Sequence, residues 1–178
     1  MDEAIKQGHY ARKQICCPSR LIAWSHRRRF ATGLALARGL ASQTVLDYGS
    51  GDGTFLAMLM DSPHAPKLAV GAELDETLVE ECQHRLGQRA GLRFITVGEL
   101  NDAEYAGRYD AVICMEVLEH VVAVDSLLDQ FERWLAPAGR LLISVPVETG
   151  LPLLVKHAAR HVAGWFGVGD YPGTSAYT

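Results

Sequence analysis

Hydrophobic positions along this chain cluster into short apolar runs that are separated by amphipathic segments. The apolar runs predict five strands, at 44–48, 68–74, 92–97, 109–115 and 139–146. Apolar residues three or four positions apart predict helices at 20–41, 53–59, 75–90 and 124–137. Strands that are apolar on both faces and alternate with helices are typical of a parallel sheet covered on both sides. The pattern therefore predicts an α/β, doubly wound domain.

Each predicted helix has an apolar stripe that should face the sheet. For the first helix the stripe consists of Leu21, Ile22, Phe30, Leu34 and Leu36. For the helix at 75–90 it consists of Leu78, Val79, Cys82 and Leu86. We expect Pro137 to end the helix that precedes the fifth strand.

Polar and glycine residues follow the strands at their carboxyl ends. Asp47 and a run of glycines come with strand one, Glu73 with strand two, Glu99 with strand three, and 116–120 with strand four. Right-handed crossovers bring the carboxyl ends of parallel strands to one rim, where ligands bind at the switch in strand order. The sequence therefore predicts a ligand site on this rim.

Length and composition fit one ordinary globular domain. The chain has 178 residues, with 48% hydrophobic and 21% charged residues. Neither an apolar run long enough for a membrane span nor a secretory signal pattern occurs, so we expect a cytoplasmic protein. Its four cysteines, at 16, 17, 82 and 114, lack zinc-site spacing and predict reduced thiols.

Charge is distributed unevenly. Residues 1–43 carry eight Lys and Arg against two acids, a net of +6, whereas the remainder carries nine against nineteen, a net of −10. Such a basic arm can steer an anionic substrate or dock on the acidic body. The cluster His26–Arg29 is too short to indicate nucleic-acid binding and favours a solvated helix face.

The glycine loop holds the main clue to the ligand. Its spacing, Gly49-Ser50-Gly51-Asp52-Gly53, departs from the G-x-G-x-x-G of dinucleotide loops. Asp47 and Asp52 would place two carboxylates near a pyrophosphate, which is unfavourable in a partly dry site. S-adenosylmethionine reverses the sign, because it carries an ammonium and a sulfonium. Asp47 is then the predicted acceptor for the ammonium, and the glycines let the backbone approach the ligand.

Other rim residues complete the predicted cofactor site. Glu73, at the end of strand two, is placed to accept the ribose hydroxyls. Leu74 is suited to pack on the adenine, while Glu99 and the backbone N–H of Leu100 are candidates for contacts with the adenine edge. An exposed loop acid is the alternative for Glu99. The predicted cofactor-binding set is Asp47, Gly49, Ser50, Gly51, Gly53, Glu73, Leu74, Glu99, Leu100 and Met115.

Four stretches in this order resemble the class I S-adenosylmethionine-dependent methyltransferases. They are "VLDYGSGDGTF", "VGAELDE", "YDAVICMEVLEHV" and "LAPAGRLLISVP", and they span about residues 44–146. The resemblance implies a Rossmann-like, mainly parallel sheet, cofactor roles for the loop glycines and Asp47, and Glu73 as the strand-two acid. "EVLEHV" with Trp24, His26 and Arg29 is similar to small-molecule methyltransferases of the ubiquinone-biosynthesis type.

Methyl transfer from a sulfonium is an in-line displacement that needs alignment and exclusion of water. A base is needed only when the acceptor loses a proton, and His120 is the candidate. A backbone-bonded residue at a helix start is the alternative for His120. We expect a small-molecule acceptor, lipid-like or quinone-type, and S-adenosylhomocysteine as the product.

Three other functions remain open at this point. Glu116, Glu119 and His120 resemble the metal-binding stretch of small-RNA 2′-O-methyltransferases, which also needs a histidine such as His157 or His161. A binding module would keep the cofactor loop without transferring methyl groups. A nicotinamide-dependent dehydrogenase would use Glu73 in the same way.

Three regions are expected along the chain: an arm at 1–43, a cofactor-binding core at 44–150 and a C-terminal part at 151–178. Residues 151–166 predict an amphipathic helix, a substrate lid or a peripheral membrane contact. The last two strands of the family fold are not evident, which predicts a fragment of a longer chain. Its apolar fifth strand would then be an edge that allows self-association.

Overall fold

A computed structural model describes residues 1–40 and 43–146. Short helix α1 spans Glu3–Lys6 and is followed by a π-helical turn at Ala11–Ile15. The remaining helices are α2 (Arg20–Leu36), α3 (Thr54–Met60), α4 (Glu76–Leu86), α5 (Asp102–Tyr105) and α6 (Val124–Trp134). The strands are β1 (Thr44–Tyr48), β2 (Leu68–Glu73), β3 (Leu92–Thr96), β4 (Tyr109–Met115) and β5 (Leu135–Ser144).

The five strands form one parallel sheet in the order β3-β2-β1-β4-β5. The chain moves outward from β1 to β3, then returns across the sheet to β4, so the order switches between β1 and β4. At this switch Asp47 pairs with Ile113 of β4 on one side and Gly71 of β2 on the other. The predicted α/β doubly wound parallel fold is confirmed.

Alternating strand residues supply two hydrophobic cores, one on each face of the sheet. Val45 lies in the core shared with Phe55 and Leu56 of α3, while its neighbour Leu46 lies in the opposite core with Phe131 of α6. Because successive side chains of a strand point to opposite faces, a strand with helices on both sides must be apolar throughout. Val45 and Leu46 are both fully buried, as this architecture requires.

Several helix bounds and one helix face differ from the sequence prediction, and α2 and α4 end earlier than predicted, at Leu36 and Leu86. The stripe predicted for α2 is wrong in part: Phe30 is buried as predicted, but Leu21, Ile22 and Leu36 are exposed. The helix buries Ala23 and Gly33 in their place. The last helix ends at Trp134, and Pro137 lies within β5 where the pairing with β4 is irregular. The face of α4 is as predicted: Cys82 and Leu86 are buried, and Leu78 and Val79 are partly buried.

Contacts divide the chain into a compact unit at Met1–Val145 and a second unit at Pro146–Thr178. The arm at 1–40 and the sheet at 44–144 belong to the first unit. The predictions for the C-terminal helix, the lid and the missing strands fall outside the described residues. In the described part of the chain β5 pairs only with β4, and self-association through β5 stays a prediction. No helix in this part is long and apolar enough to cross a membrane.

Candidate functional site

The carboxyl ends of β1 and β4 meet at the switch in strand order, as the rim prediction required. Asp47 lies one residue before the end of β1, and Gly49 begins the loop to α3. Met115 ends β4, and Glu116 follows it with a positive φ of 58°. A non-glycine residue in this conformation is strained, and such strain is concentrated at functional sites.

A cavity of about 210 Å³ opens at this point, and we call it the rim cavity. Its floor is the end of β1 with the glycine loop, its side is the end of β4, and its cover comes from the N-terminal arm. The lining residues are Tyr10, Arg29, Phe30, Asp47, Gly49, Ser50, Gly51, Asp52, Phe55, Met115 and Glu116.

Asp47 is the most unusual titratable group of the cavity. Asp47 is only 3% exposed, and it is one of the residues that line the cavity. Burial, followed by the negative charge of Glu73, raises the pKa of Asp47 from its ordinary value of 3.8 to about 8. Burial leaves the ionised carboxylate without a partner of opposite charge. A cation bound in the cavity would supply that charge and stabilise the ionised form.

The glycine loop presents open backbone to the cavity. Gly51 has a φ of 55°, and a Cβ built on it would meet nothing within 4 Å. Beside it, the buried Oγ of Ser50 has no hydrogen-bond partner among the described residues. An open backbone surface next to an unsatisfied hydroxyl is the arrangement expected where a polar ligand approaches the main chain.

Glu73 does not line the rim cavity, but it holds the glycine loop through a hydrogen bond. Its Oε2 accepts a hydrogen bond from the backbone N–H of Gly51 at 2.8 Å, and its Oε1 accepts one from the N–H of Leu74 at 2.7 Å. An ionised carboxylate can accept about four hydrogen bonds, so each oxygen keeps acceptor capacity. The carboxylate thus holds the loop and remains able to accept from a hydroxyl.

The other predicted residues lie away from the rim cavity. Glu99 is exposed, and its Oε2 accepts from the backbone N–H of Thr96 at 2.6 Å and from its hydroxyl at 2.9 Å. This is a capping box, and these bonds lower the pKa of Glu99. Leu74 is 80% exposed, Leu100 packs partly on a core, and His120 is exposed at the end of a 3₁₀ turn.

The N-terminal arm is tied to the glycine loop by an acid of that loop. Asp52 is buried, and its Oδ2 accepts from the backbone N–H of Tyr10 at 2.7 Å, while its Oδ1 accepts from the N–H of Thr54 at 3.1 Å. The acid therefore fixes the start of α3 and the cover of the cavity at once. Its carboxylate is directed toward backbone donors.

Arg29 of α2 is the centre of a polar network on the cavity wall. Its guanidinium lies 2.6 Å from the Glu116 carboxylate, and it donates to the Tyr10 hydroxyl and to His26 Nδ1, the latter at 3.1 Å. Tyr10 Oη lies 2.6 Å from the same nitrogen. Because a guanidinium only donates, we assign Nδ1 as unprotonated and the Tyr10 hydroxyl as its donor.

Electrostatics and burial agree with this assignment. Burial, followed by the positive charge of Arg29, lowers the pKa of His26, so its imidazole is neutral near pH 7. Burial raises the pKa of Tyr10, so its hydroxyl keeps the proton. The buried Nε of Arg29 has no hydrogen-bond partner among the described residues. The cavity wall therefore carries a guanidinium whose hydrogen-bonding capacity is not fully used by the described protein groups.

Several lining residues were missed by sequence reasoning as parts of the ligand site. Tyr10 and Phe30 belong to the arm, and their ring centroids stack 5.5 Å apart over the site. No periodicity marks Tyr10, because its contacts to Asp52 and Arg29 are 42 and 19 residues distant. The sequence analysis singled out Arg29 together with Trp24 and His26, but only the fold shows that Arg29 pairs with Glu116.

The stretch Glu116–His120, which was considered as a metal site, makes other contacts or is exposed. Glu116 pairs with Arg29 and accepts from the hydroxyl of Ser144 at 2.7 Å, while Glu119 and His120 are exposed. Across residues 1–40 and 43–146, no group of three metal-ligating side chains occurs. His157 and His161 lie outside the described residues. The paired guanidinium makes Glu116 a poor ligand for a divalent ion.

The rim cavity fits a zwitterionic ligand. A buried carboxylate that gains from a cation stands on one wall, and a guanidinium with an unused donor stands on another. Between them the loop offers open backbone at Gly51. These features are suited to an amino acid group, in which an ammonium and a carboxylate share one carbon.

Comparison with protein families agrees with this fold and site. Residues 22–171 match the family model described as "Methyltransferase domain". The match covers most of the chain, and the chain therefore belongs to this family of methyltransferase domains.

Curated relatives include the ubiquinone biosynthesis O-methyltransferases of Marinobacter nauticus and Acinetobacter baumannii strain ACICU. The first is 32% identical over 107 residues, which is 59% of this chain and 44% of the relative. The second is 36% identical over 112 residues, which is 61% of this chain and 46% of the relative. The chain thus spans less than half the length of these relatives.

Solved structures with the same fold include the YcgJ protein of Bacillus subtilis and a methyltransferase of Geobacter sulfurreducens. The first has a TM-score of 0.58 at 20% identity and covers 78% of this chain and 58% of its own. The second, an S-adenosylmethionine-dependent enzyme solved with S-adenosylhomocysteine, has a TM-score of 0.51 at 23% identity and covers 65% and 47%. At these identities the likeness establishes the fold.

Proposed function

We propose that this protein transfers a methyl group from S-adenosylmethionine to a small-molecule acceptor. The observation that carries the proposal is Asp47, a buried acid at the switch point that lines a cavity and has a pKa raised to about 8. An ammonium in the cavity would favour its ionised form. Membership of the methyltransferase-domain family supports the same cofactor.

Different residues of the chain would bind different parts of the cofactor. Asp47 accepts from the ammonium, Arg29 donates to the carboxylate from the opposite wall, and Ser50 and Gly51 border the methionine. Glu73 accepts from the ribose hydroxyls with the acceptor capacity that its two loop bonds leave free. These roles, and the adenine contacts expected of Leu74, Glu99 and Leu100, are proposals.

When bound, S-adenosylmethionine supplies a methyl group on a sulfonium, which is already an activated leaving group. The protein's task is then to orient the acceptor and exclude water. Tyr10 and Phe30 cover the cavity, and Asp52 holds that cover in place. For an acceptor hydroxyl, His120 is the proposed base, since its exposed imidazole lies in the turn after β4 and an imidazole can accept a proton.

We infer that the acceptor is an uncharged small molecule with a hydroxyl, of the phenol or quinol type. The support is that the curated relatives are named ubiquinone biosynthesis O-methyltransferases. Glu116, which a metal-assisted RNA methyltransferase would use, is already paired with Arg29. That alternative is therefore not favoured.

The test of this function is isotopic transfer. Cell extract is incubated with methyl-labelled S-adenosylmethionine and the protein, and labelled small molecules are identified by mass spectrometry. We expect a labelled O-methyl product that is absent with Asp47→Asn. Binding of S-adenosylhomocysteine without any labelled product from extract would instead establish a binding module.

A further inference from the structure

A second cavity of about 200 Å³ lies between α2 and β5, and we call it the α2–β5 cavity. It shares two lining residues, Arg29 and Met115, with the rim cavity. Its other walls are largely apolar, with Gly33 and Leu36 from α2 and Leu142 and Ile143 from β5. The two cavities are therefore adjacent, and Met115 is an apolar boundary between them.

The polar lining residues of the α2–β5 cavity are Arg29, Thr32 and Ser144. The hydroxyl of Ser144 donates a hydrogen bond to the Glu116 carboxylate at 2.7 Å, and this carboxylate also pairs with the Arg29 guanidinium at 2.6 Å. The guanidinium is thus already neutralised on this side. Among the apolar lining residues, Leu36 is 60% exposed and Ile143 is 43% exposed, so they form a mouth that is open to solvent.

These features select the kind of molecule that fits. With the cofactor in the rim cavity, a second anionic ligand would lose its hydration without gaining a free counter-ion, because Glu116 pairs with Arg29 and the remaining Arg29 donor is assigned to the cofactor carboxylate. An apolar ring would gain from burial against Leu36 and Leu142. A cavity of about 150 Å³ is known to hold a benzene ring, so this volume admits an aromatic group.

The geometry points to the α2–β5 cavity as the subsite for the methyl acceptor, which binds as an uncharged aromatic molecule with its hydroxyl toward Arg29 and Met115. This inference rests on the proposed function, because it places the acceptor beside the proposed cofactor cavity. Transfer then forms the bond between the acceptor oxygen and the methyl carbon and breaks the bond from that carbon to sulfur. The hydroxyl proton leaves to a base or to solvent, which balances the charge of the sulfonium.

Binding of 2-naphthol to the protein saturated with S-adenosylhomocysteine tests the assignment, with naphthol fluorescence as the readout. Leu36→Glu places a charge at the mouth, and Thr32→Trp fills the space beside it. We expect each variant to weaken naphthol binding by about tenfold or more. Leu21→Glu is the matched control, since Leu21 is 73% exposed on the same helix and lines neither cavity, and it should bind naphthol as the wild type does.

A charged analogue and a separate titration complete the design. 2-Naphthoate should bind at least about tenfold more weakly than 2-naphthol, because with S-adenosylhomocysteine bound the cavity offers it no free cation. Equal binding of the two probes, no binding of 2-naphthol, or naphthol affinities that Leu36→Glu and Thr32→Trp leave unchanged would each overturn the subsite. Failure of S-adenosylhomocysteine to bind the wild type would instead overturn the proposed function, and calorimetry without naphthol detects that separately.

Discussion

The guanidinium of Arg29 on α2 lies 2.6 Å from the carboxylate of Glu116 after β4, and each side chain is about one quarter exposed. This ion pair joins the N-terminal arm to the rim of the sheet. It also lies between the two cavities, since Arg29 lines both and Glu116 lines the rim cavity. The basic arm therefore docks on the acidic body at this point, one of the two outcomes that its charge allowed.

Removing either partner of this pair should destabilise the protein more than removing both. Arg29→Met or Glu116→Gln leaves a partly buried charge without its partner, whereas the double variant leaves neither. We expect a coupling free energy of about 1 kcal/mol or more in a double-mutant cycle. Urea unfolding of the four proteins measures it, and strictly additive effects would show that the pair is an ordinary surface contact.

Two glycines of the loop should respond differently to alanine. A Cβ at Gly53 would lie 2.6 Å from the ring of Phe94 and 2.8 Å from Leu86, whereas one at Gly51 meets nothing within 4 Å. Both have a positive φ, which costs about 1–2 kcal/mol for alanine. Gly53→Ala should therefore lose more unfolding free energy than Gly51→Ala.

For ligand affinity we expect the opposite order: Gly51→Ala, the variant that loses less unfolding free energy, should lose more affinity than Gly53→Ala. Gly51 lines the rim cavity, and a Cβ there would meet no protein atom within 4 Å, so we expect Gly51→Ala to weaken S-adenosylhomocysteine binding while the protein stays folded. Thermal denaturation and calorimetry on the same samples separate the two effects. Unchanged affinity in Gly51→Ala would refute the assignment of this loop to the cofactor.

Much of the fold could be predicted from the sequence, because the apolar runs that form strands are local. β1 and β4 begin and end where their patterns predicted. The face of α2 could not be predicted in the same way. Its packing depends on close approach at Gly33, where a Cβ would lie 2.9 Å from the ring of Phe55. A hydrophobic stripe gives no indication of such a contact.

The candidate site could be predicted only where its residues are adjacent in sequence. Asp47 and the glycine loop form one short motif, and the rim rule places them correctly. The cover formed by Tyr10 depends on bonds to Asp52 and Arg29 that only the folded chain creates. The carboxylate of Glu99 caps a turn at Thr96, a role that the sequence pattern did not predict, and its adenine contact stays a prediction.

Asp47→Asn should stabilise the ligand-free protein relative to the wild type, and this advantage should increase as the pH rises. The folded-state pKa, about 8, lies above the ordinary value of 3.8, so folding takes up a proton between these pH values. The contribution of Asp47 to stability is complete below about pH 4 and is lost as the pH rises to about 8. The asparagine variant lacks this loss, and its advantage in unfolding free energy should grow over that range.

Asp110→Asn is a matched control for this pH series. Asp110 Oδ2 accepts from the backbone N–H of Thr44 at 2.8 Å, so its replacement should lower stability by about 1 kcal/mol. Urea unfolding at pH 5 and pH 8 compares the variants. An advantage of Asp47→Asn that did not increase with pH would contradict the raised pKa.

Cofactor binding should release protons below about pH 8. In the ligand-free protein Asp47 is largely protonated at pH 7, and a bound ammonium would favour its ionised form. Affinity for S-adenosylhomocysteine should therefore increase from pH 6 to pH 8. Calorimetry in buffers of different ionisation enthalpy counts the protons, and equal release by Asp47→Asn would assign them to another group.

The most direct test of the account is calorimetric titration of this chain with S-adenosylhomocysteine at pH 8, beside Asp47→Asn and a parallel titration with NADH. We expect saturable binding of one S-adenosylhomocysteine per chain and no binding of NADH. Loss of one charge-assisted hydrogen bond in the variant should weaken binding by about 1.5–3 kcal/mol. Saturable NADH binding, no binding of S-adenosylhomocysteine, or equal affinity in Asp47→Asn would contradict the claim that the rim cavity holds this cofactor through Asp47.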